Sequence, residues 1–107
     1  MNAALIANLR AQCDGPRDGA LLRFSLANAL LAEGDAGEAA TQCRRALDFD
    51  AHYSAAWKLL GKALLADGDE AGAAEAWRQG IAVAAERGDK QAEKEMAVFL
   101  RRLEKSL

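Results

Sequence analysis

An all-α fold is predicted, a right-handed stack of about six helices in antiparallel pairs, and three observations predict it. The chain repeats itself at a spacing of 34 residues. Alanine dominates a composition that holds one proline and one threonine, which favours helix over sheet. Gly-Asp pairs recur where one helix must end and the next begin. The repeat is the strongest of the three. The segment Leu26–Leu47 lies over Leu60–Ile81 without a gap, and ten of the 22 paired positions are identical. Chance would give only about two or three, so stacked supersecondary units are implied, each unable to bury its apolar face alone.

The first helix is expected over about Asn2–Cys13, where Leu5, Ile6, Leu9 and Cys13 share one stripe. Asp14-Gly15-Pro16 ends it, with glycine releasing the chain. A second helix starts between Pro16 and Ala20 and runs to about Glu33, with Asp14 and Asp18 both able to cap it. Gly34-Asp35 and Gly68-Asp69 hold matching places: a left-handed glycine stops one helix and aspartate starts the next. Connections this short force neighbouring helices to pack antiparallel. The third helix covers about Ala36–Asp48. Asp50 is the expected cap of the fourth, which carries Trp57, Leu60 and Leu64 to about Asp67. The fifth covers about Glu70–Arg87, and Gly88-Asp89 opens the sixth, about Lys90–Ser106. That last helix gathers Ala92, Met96, Phe99, Leu100, Leu103 and Leu107 on one stripe under a charged face, as a terminal cap needs.

Composition narrows the function. A chain of 107 residues is one domain with room for a core, and a net charge of −2 supplies no basic field for nucleic acid. No apolar run approaches the ~20 residues needed to span a bilayer, and the first residues lack the form of a secretory signal. Cys13 and Cys43 stand 30 apart without a CxxC or clustered histidines, so free buried thiols are expected, with neither metal nor cofactor. Together these features place the chain in the cytoplasm. Catalysis finds no constellation: His52 beside Asp50 reads as a solvated side chain, and the glycines serve turns and close packing. No enzyme is expected.

The second unit reads Trp57-x-x-Leu60-Gly61-x-x-Leu64, then Ala73-x-x-x-Trp77. This resembles the tetratricopeptide repeat, a 34-residue helix-turn-helix with W-x2-L-G-x2-Y, then A-x3-F, then often proline. Leu64 stands for the tyrosine, Trp77 for the phenylalanine and Ala85 for the proline. In the first unit Arg23 replaces the tryptophan, Ala27 the glycine and Cys43 the large aromatic, while Leu26, Leu30 and Ala39 remain. Gly61 or Ala27 and Ala39 or Ala73 let paired helices approach, and Trp57 and Trp77 fill the space between neighbours as core. The resemblance divides one domain, 1–107, into an N-terminal half-unit helix (1–15), repeat one (20–53), repeat two (54–87) and a C-terminal capping helix (88–107). It sets Met96-Ala97 where Leu60-Gly61 stand, across a connection two residues longer than the repeat.

In that family the first helix of each unit lines a concave groove that holds peptides. Carried over, the groove would comprise Leu21, Phe24, Asn28 and Leu31, then Lys58, Lys62 and Leu65, then Lys94, Val98 and Arg101. Each set falls at spacings of three, four and seven, on one helical face. An apolar floor at one end and cations at the other imply a protein or peptide partner with apolar and acidic groups, bound at micromolar strength. The family's carboxylate clamp is incomplete here, with Phe24 in place of its lysine and Leu59 in place of its second asparagine. A heat-shock-chaperone tail is therefore not the implied ligand. Two alternatives stay open. One is a self-associating structural protein, joined as a homodimer through its terminal helices. The other is a small-molecule-binding helical domain, for which Ala-rich packing leaves little room.

Overall fold

The computed structural model describes residues 2–107; Met1, which opens the expected half-unit, lies outside the described residues. Six helices follow one another: α1 (Ala3–Gln12), α2 (Ala20–Ala32), α3 (Ala36–Phe49), α4 (Ser54–Ala66), α5 (Glu70–Arg87) and α6 (Lys90–Ser106). Helices α2, α4 and α6 start 34 and then 36 residues apart, but the excess is not in the last connection as expected: α5 has 18 residues against 14 in α3, and the connection 88–89 is shorter than 50–53. Each helix from α2 to α5 packs chiefly on its two chain neighbours and α6 chiefly on α5, giving a stack of 39 × 28 × 18 Å.

The Gly-Asp junctions behave as their chemistry requires. Gly34, Gly68 and Gly88 take positive φ values of 88°, 87° and 73°. Asp35, Asp69 and Asp89 then accept the backbone N–H of Glu38, Gly72 and Ala92. Such a cap contributes about 1 kcal/mol to its helix. Two other junctions differ from expectation. Asp50 does not cap α4; Tyr53 holds that place, and the Asp50 carboxylate instead accepts the His52 backbone N–H at 3.0 Å. Aspartate binds an N–H two residues on as readily as a helix end, and here the local turn wins. At the end of α1 the left-handed residue is Asp14, at φ 64°, and not Gly15. Its strain is offset by the Asp14 N–H donating to the Asp18 carboxylate at 2.8 Å.

The core runs from Leu26, Ala27 and Leu30 through Ala39 and Cys43 to Leu60, Ala63 and Leu64. It continues into Ala73, Trp77, Met96 and Leu103, all buried. Two glycines inside it admit a neighbour that a side chain would crowd. A Cβ on Gly61 would stand 2.1 Å from the Trp77 indole nitrogen, so the missing side chain is what admits the ring. Gly80, unmarked by any motif, does the same for Met96 of α6 and Trp57 of α4. Trp77 is 2% exposed, but Trp57 is only half-buried, with its indole N–H donating to the Ala51 carbonyl at 2.9 Å. Both thiols are free; Cys43 is fully buried, whereas Cys13 is half-buried.

Where repeat one lacks the motif tryptophan, a polar cluster fills the space. Arg23 is 5% exposed and donates to both oxygens of Asp18 at 2.9 and 2.7 Å. It also reaches Gln42 at 3.0 Å and Asp14 at 3.3 Å. Asp18 therefore does not cap α2, whose first turn has no side-chain cap. Hydrogen bonds from Arg23 first, then from the Asp14 N–H, hold its carboxyl well below the usual range.

Candidate functional site

The side of the stack that curves inward follows from which helices meet across a neighbour. Helices α2 and α4 approach one another, as do α4 and α6; among the described residues no such approach joins α1, α3 and α5. Even-numbered helices thus lie closer together and line the inner face, as expected for the first helix of each unit.

The expected groove residues sit on those helices with unequal freedom. Leu21 is 68% exposed and Leu65 40%, while Leu31 and Val98 are half-buried. Phe24 is half-buried too, with its ring centroid 5.2 Å from that of Tyr53 at the head of α4. Asn28 is exposed and, with Phe24, Leu5 and Leu9, borders a pocket of about 440 Å³ between α1 and α2. The cations divide into two pairs. Lys58 Nζ lies 2.9 Å from Glu95 Oε1, an ion pair between α4 and α6 that holds the Glu95 carboxyl below its ordinary value. Lys62 stands 5.0 Å from the Phe99 ring centroid, a cation–π contact. Lys94 and Arg101 are exposed without an acidic partner among the described residues. Lys58 and Lys62 thus tie α4 to α6, while Lys94 borders a hollow shared with Ile81 of α5.

A further hollow was missed from sequence. Leu65, Trp77, Phe99 and Leu103 wall a pocket of about 490 Å³ where α4, α5 and α6 meet, with Glu70, Arg102 and Ser106 also lining it. The Phe99 and Trp77 centroids are 5.5 Å apart, tilted by 46°. The apolar stripe of the sixth helix did include Phe99 and Leu103, but periodicity marks a face as apolar without telling filled space from open space. Arg102 sits one residue beyond the expected Arg101, about 100° further round the helix, and it is Arg102 that lines the pocket.

His52 lies apart from any such feature, exposed, with Nε2 3.9 Å from a Glu86 carboxylate oxygen. Burial pushes the Cys43 thiol up to about 12, so no thiolate is available there. At the two ends of the stack Leu5 is 51% exposed and Leu107 73%. No helix among the described residues is long and apolar enough to cross a membrane.

Comparison with known proteins bears on this architecture directly. No protein-family model matches the chain. It is 58% identical over 89 residues to the TPR repeat-containing protein PA0015 of Pseudomonas aeruginosa, across 83% of this chain and 85% of that one. The solution structure of protein BPP2914 from Bordetella parapertussis superimposes with a TM-score of 0.83 at 45% identity, covering 95% of this chain and 89% of that one.

Proposed function

The chain belongs to the tetratricopeptide repeat family, a family of protein-interaction modules that are generally non-catalytic, and from that premise we propose that its inner face holds a peptide or protein segment carrying apolar and acidic groups. The repeats would be 20–53 and 54–87, flanked by the half-unit helix 1–15 and the capping helix 88–107. Support comes above all from exposed apolar side chains on the inner helices, Leu21 on α2 and Leu65 on α4, together with Lys94 and Arg101 on α6, exposed and without an acidic partner among the described residues. Apolar groups held open on a face rimmed by charge are what an association surface presents. Phe24, Leu31 and Val98, half-buried, would extend that floor, and Asn28 would offer an amide to a bound backbone. Lys58 and Lys62 would contribute field more than direct contacts, because Glu95 and Phe99 already engage them. So small a groove implies micromolar affinity.

The test is selection from a displayed random-peptide library with the wild type and with Lys94→Glu/Arg101→Glu, whose side chains are exposed and make no ion pair among the described residues. A consensus joining bulky apolar residues to Asp or Glu is expected from the wild type alone. The same consensus from both proteins, or none from either, would remove the groove from consideration.

A further inference from the structure

We infer that the pocket where α4, α5 and α6 meet seats one bulky apolar side chain of an acidic peptide, with Arg102 pairing with a carboxylate that flanks it. The inference rests on the peptide-binding role proposed above and narrows it to one anchor. At about 490 Å³ the hollow falls within the range of ligand-holding pockets. Its walls are Leu65, Trp77, Phe99 and Leu103. The one polar atom of the Trp77 ring already donates to the Lys58 carbonyl at 3.2 Å, so carbon is what that ring offers a guest. A flexible polar group gains nothing in such surroundings, whereas a phenylalanine or leucine side chain loses most of its contact with water.

Charge around the pocket selects the flanking residues. Val98, Arg101, Arg102 and Lys105 lie at spacings of three, four and seven along α6, on one face. Two acids of the same helix are engaged elsewhere: Glu95 with Lys58 at 2.9 Å and Glu104 with Arg78 at 3.3 Å. Arg101, Arg102 and Lys105 consequently have no acidic partner among the described residues. Glu70 is the one carboxylate lining the hollow, and it lies in the first turn of α5, where the helix dipole already favours it. In the lining one cation, Arg102, stands with one acid, Glu70, whose charge the α5 dipole already engages, and Arg101 and Lys105 add positive charge further round α6. The guest is then a segment in which a large apolar residue is flanked by Asp or Glu, with its termini unneeded.

Two terminally blocked synthetic peptides test this, one with a central phenylalanine between aspartates and glutamates, the other with serine in its place. Each is titrated into the isotope-labelled full chain while backbone amide shifts are followed. The phenylalanine peptide is expected to move Leu65, Phe99, Arg102 and Leu103. The serine peptide, and separately Arg102→Glu and Leu65→Ser, should each weaken binding by roughly tenfold. Both substituted positions are exposed, and the spectra themselves report folding. Equal binding of the two peptides would overturn the apolar anchor. Shifts elsewhere on the inner face would overturn the pocket while leaving the groove standing. No binding would likewise dispose of the pocket, and the library selection would then judge the groove by itself.

Discussion

The two repeats share a period and a turn, and they differ in what fills them. At one matched position repeat two has Trp57 and repeat one has Arg23; both reach back to the connection before their own helix. Trp57 donates to the Ala51 carbonyl, whereas Arg23 gathers the carboxylates of Asp14 and Asp18. At a second pair of matched positions repeat two sets the largest side chain against none, Trp77 over Gly61. Repeat one sets two small ones there, Cys43 and Ala27, both fully buried. The period therefore fixes where helices lie and leaves open how the space between them is filled. Volume can pass from one member of a matched pair to the other, and a ring can give way to a satisfied ion cluster.

The largest expected effect tests that asymmetry at the second pair. Trp77→Ala should cost about 3–5 kcal/mol, the usual result of emptying a buried tryptophan site. Cys43→Ala, at the equivalent place, should cost about 1 kcal/mol. Urea denaturation of the two variants checks the ratio, and comparable losses would mean that repeat one depends on its second helix as heavily as repeat two. Next comes the small partner. Gly61→Ala should destabilise by about 1–3 kcal/mol, because a Cβ would meet the rigid indole. In a Trp77→Cys background the same change should become neutral or stabilise by up to about 1 kcal/mol, as alanine does in an open helix. That reversal, read from a double-mutant cycle, would show that the two positions share one volume; simple additivity would deny it.

Much of this was legible in the sequence, and the exceptions have physical reasons. The glycines at 34, 68 and 88 located the ends of α2, α4 and α5 and the starts of α3, α5 and α6 to within a residue or two, because a left-handed residue followed by a capping aspartate allows few readings. Gly61 and Trp77 were each legible as packing positions from their motif places, but that they meet one another was not. Arg23 was visible as a departure, but its partners were not. They depend on Asp14 adopting a left-handed backbone that folds the connection over the guanidinium, and tertiary contacts decide that. Helical spacing determines which side chains share a face, but the choice of the inner face came from the family resemblance. Whether a lysine on that face is free was not legible, because Glu95 meets Lys58 across two helices and 37 positions. The pocket beside Phe99 escaped for a similar reason: an unfilled space has no letter of its own.

The smallest effect expected concerns the ion cluster and distinguishes it from the aromatic filling by pH. Asp18 titrates lower in the folded protein than in the unfolded chain, because Arg23 and two backbone N–H groups favour its charged form. Its contribution is therefore complete above the unfolded value, near pH 4, and is lost as the pH falls below it. Asp18→Asn keeps the shape and an oxygen that can still accept from Arg23, but it has no charge to titrate. The variant should be modestly less stable than the wild type at pH 7, and the gap should narrow at pH 3. Glu38, Asp89 and Glu95 also titrate low through their own partners, so both proteins should weaken in acid; only the difference between them belongs to Asp18. Denaturation midpoints at the two pH values check it. A constant gap would mean that Asp18 matters for its hydrogen bonds alone, and repeat one would then be filled by a polar cluster whose charge contributes no stability.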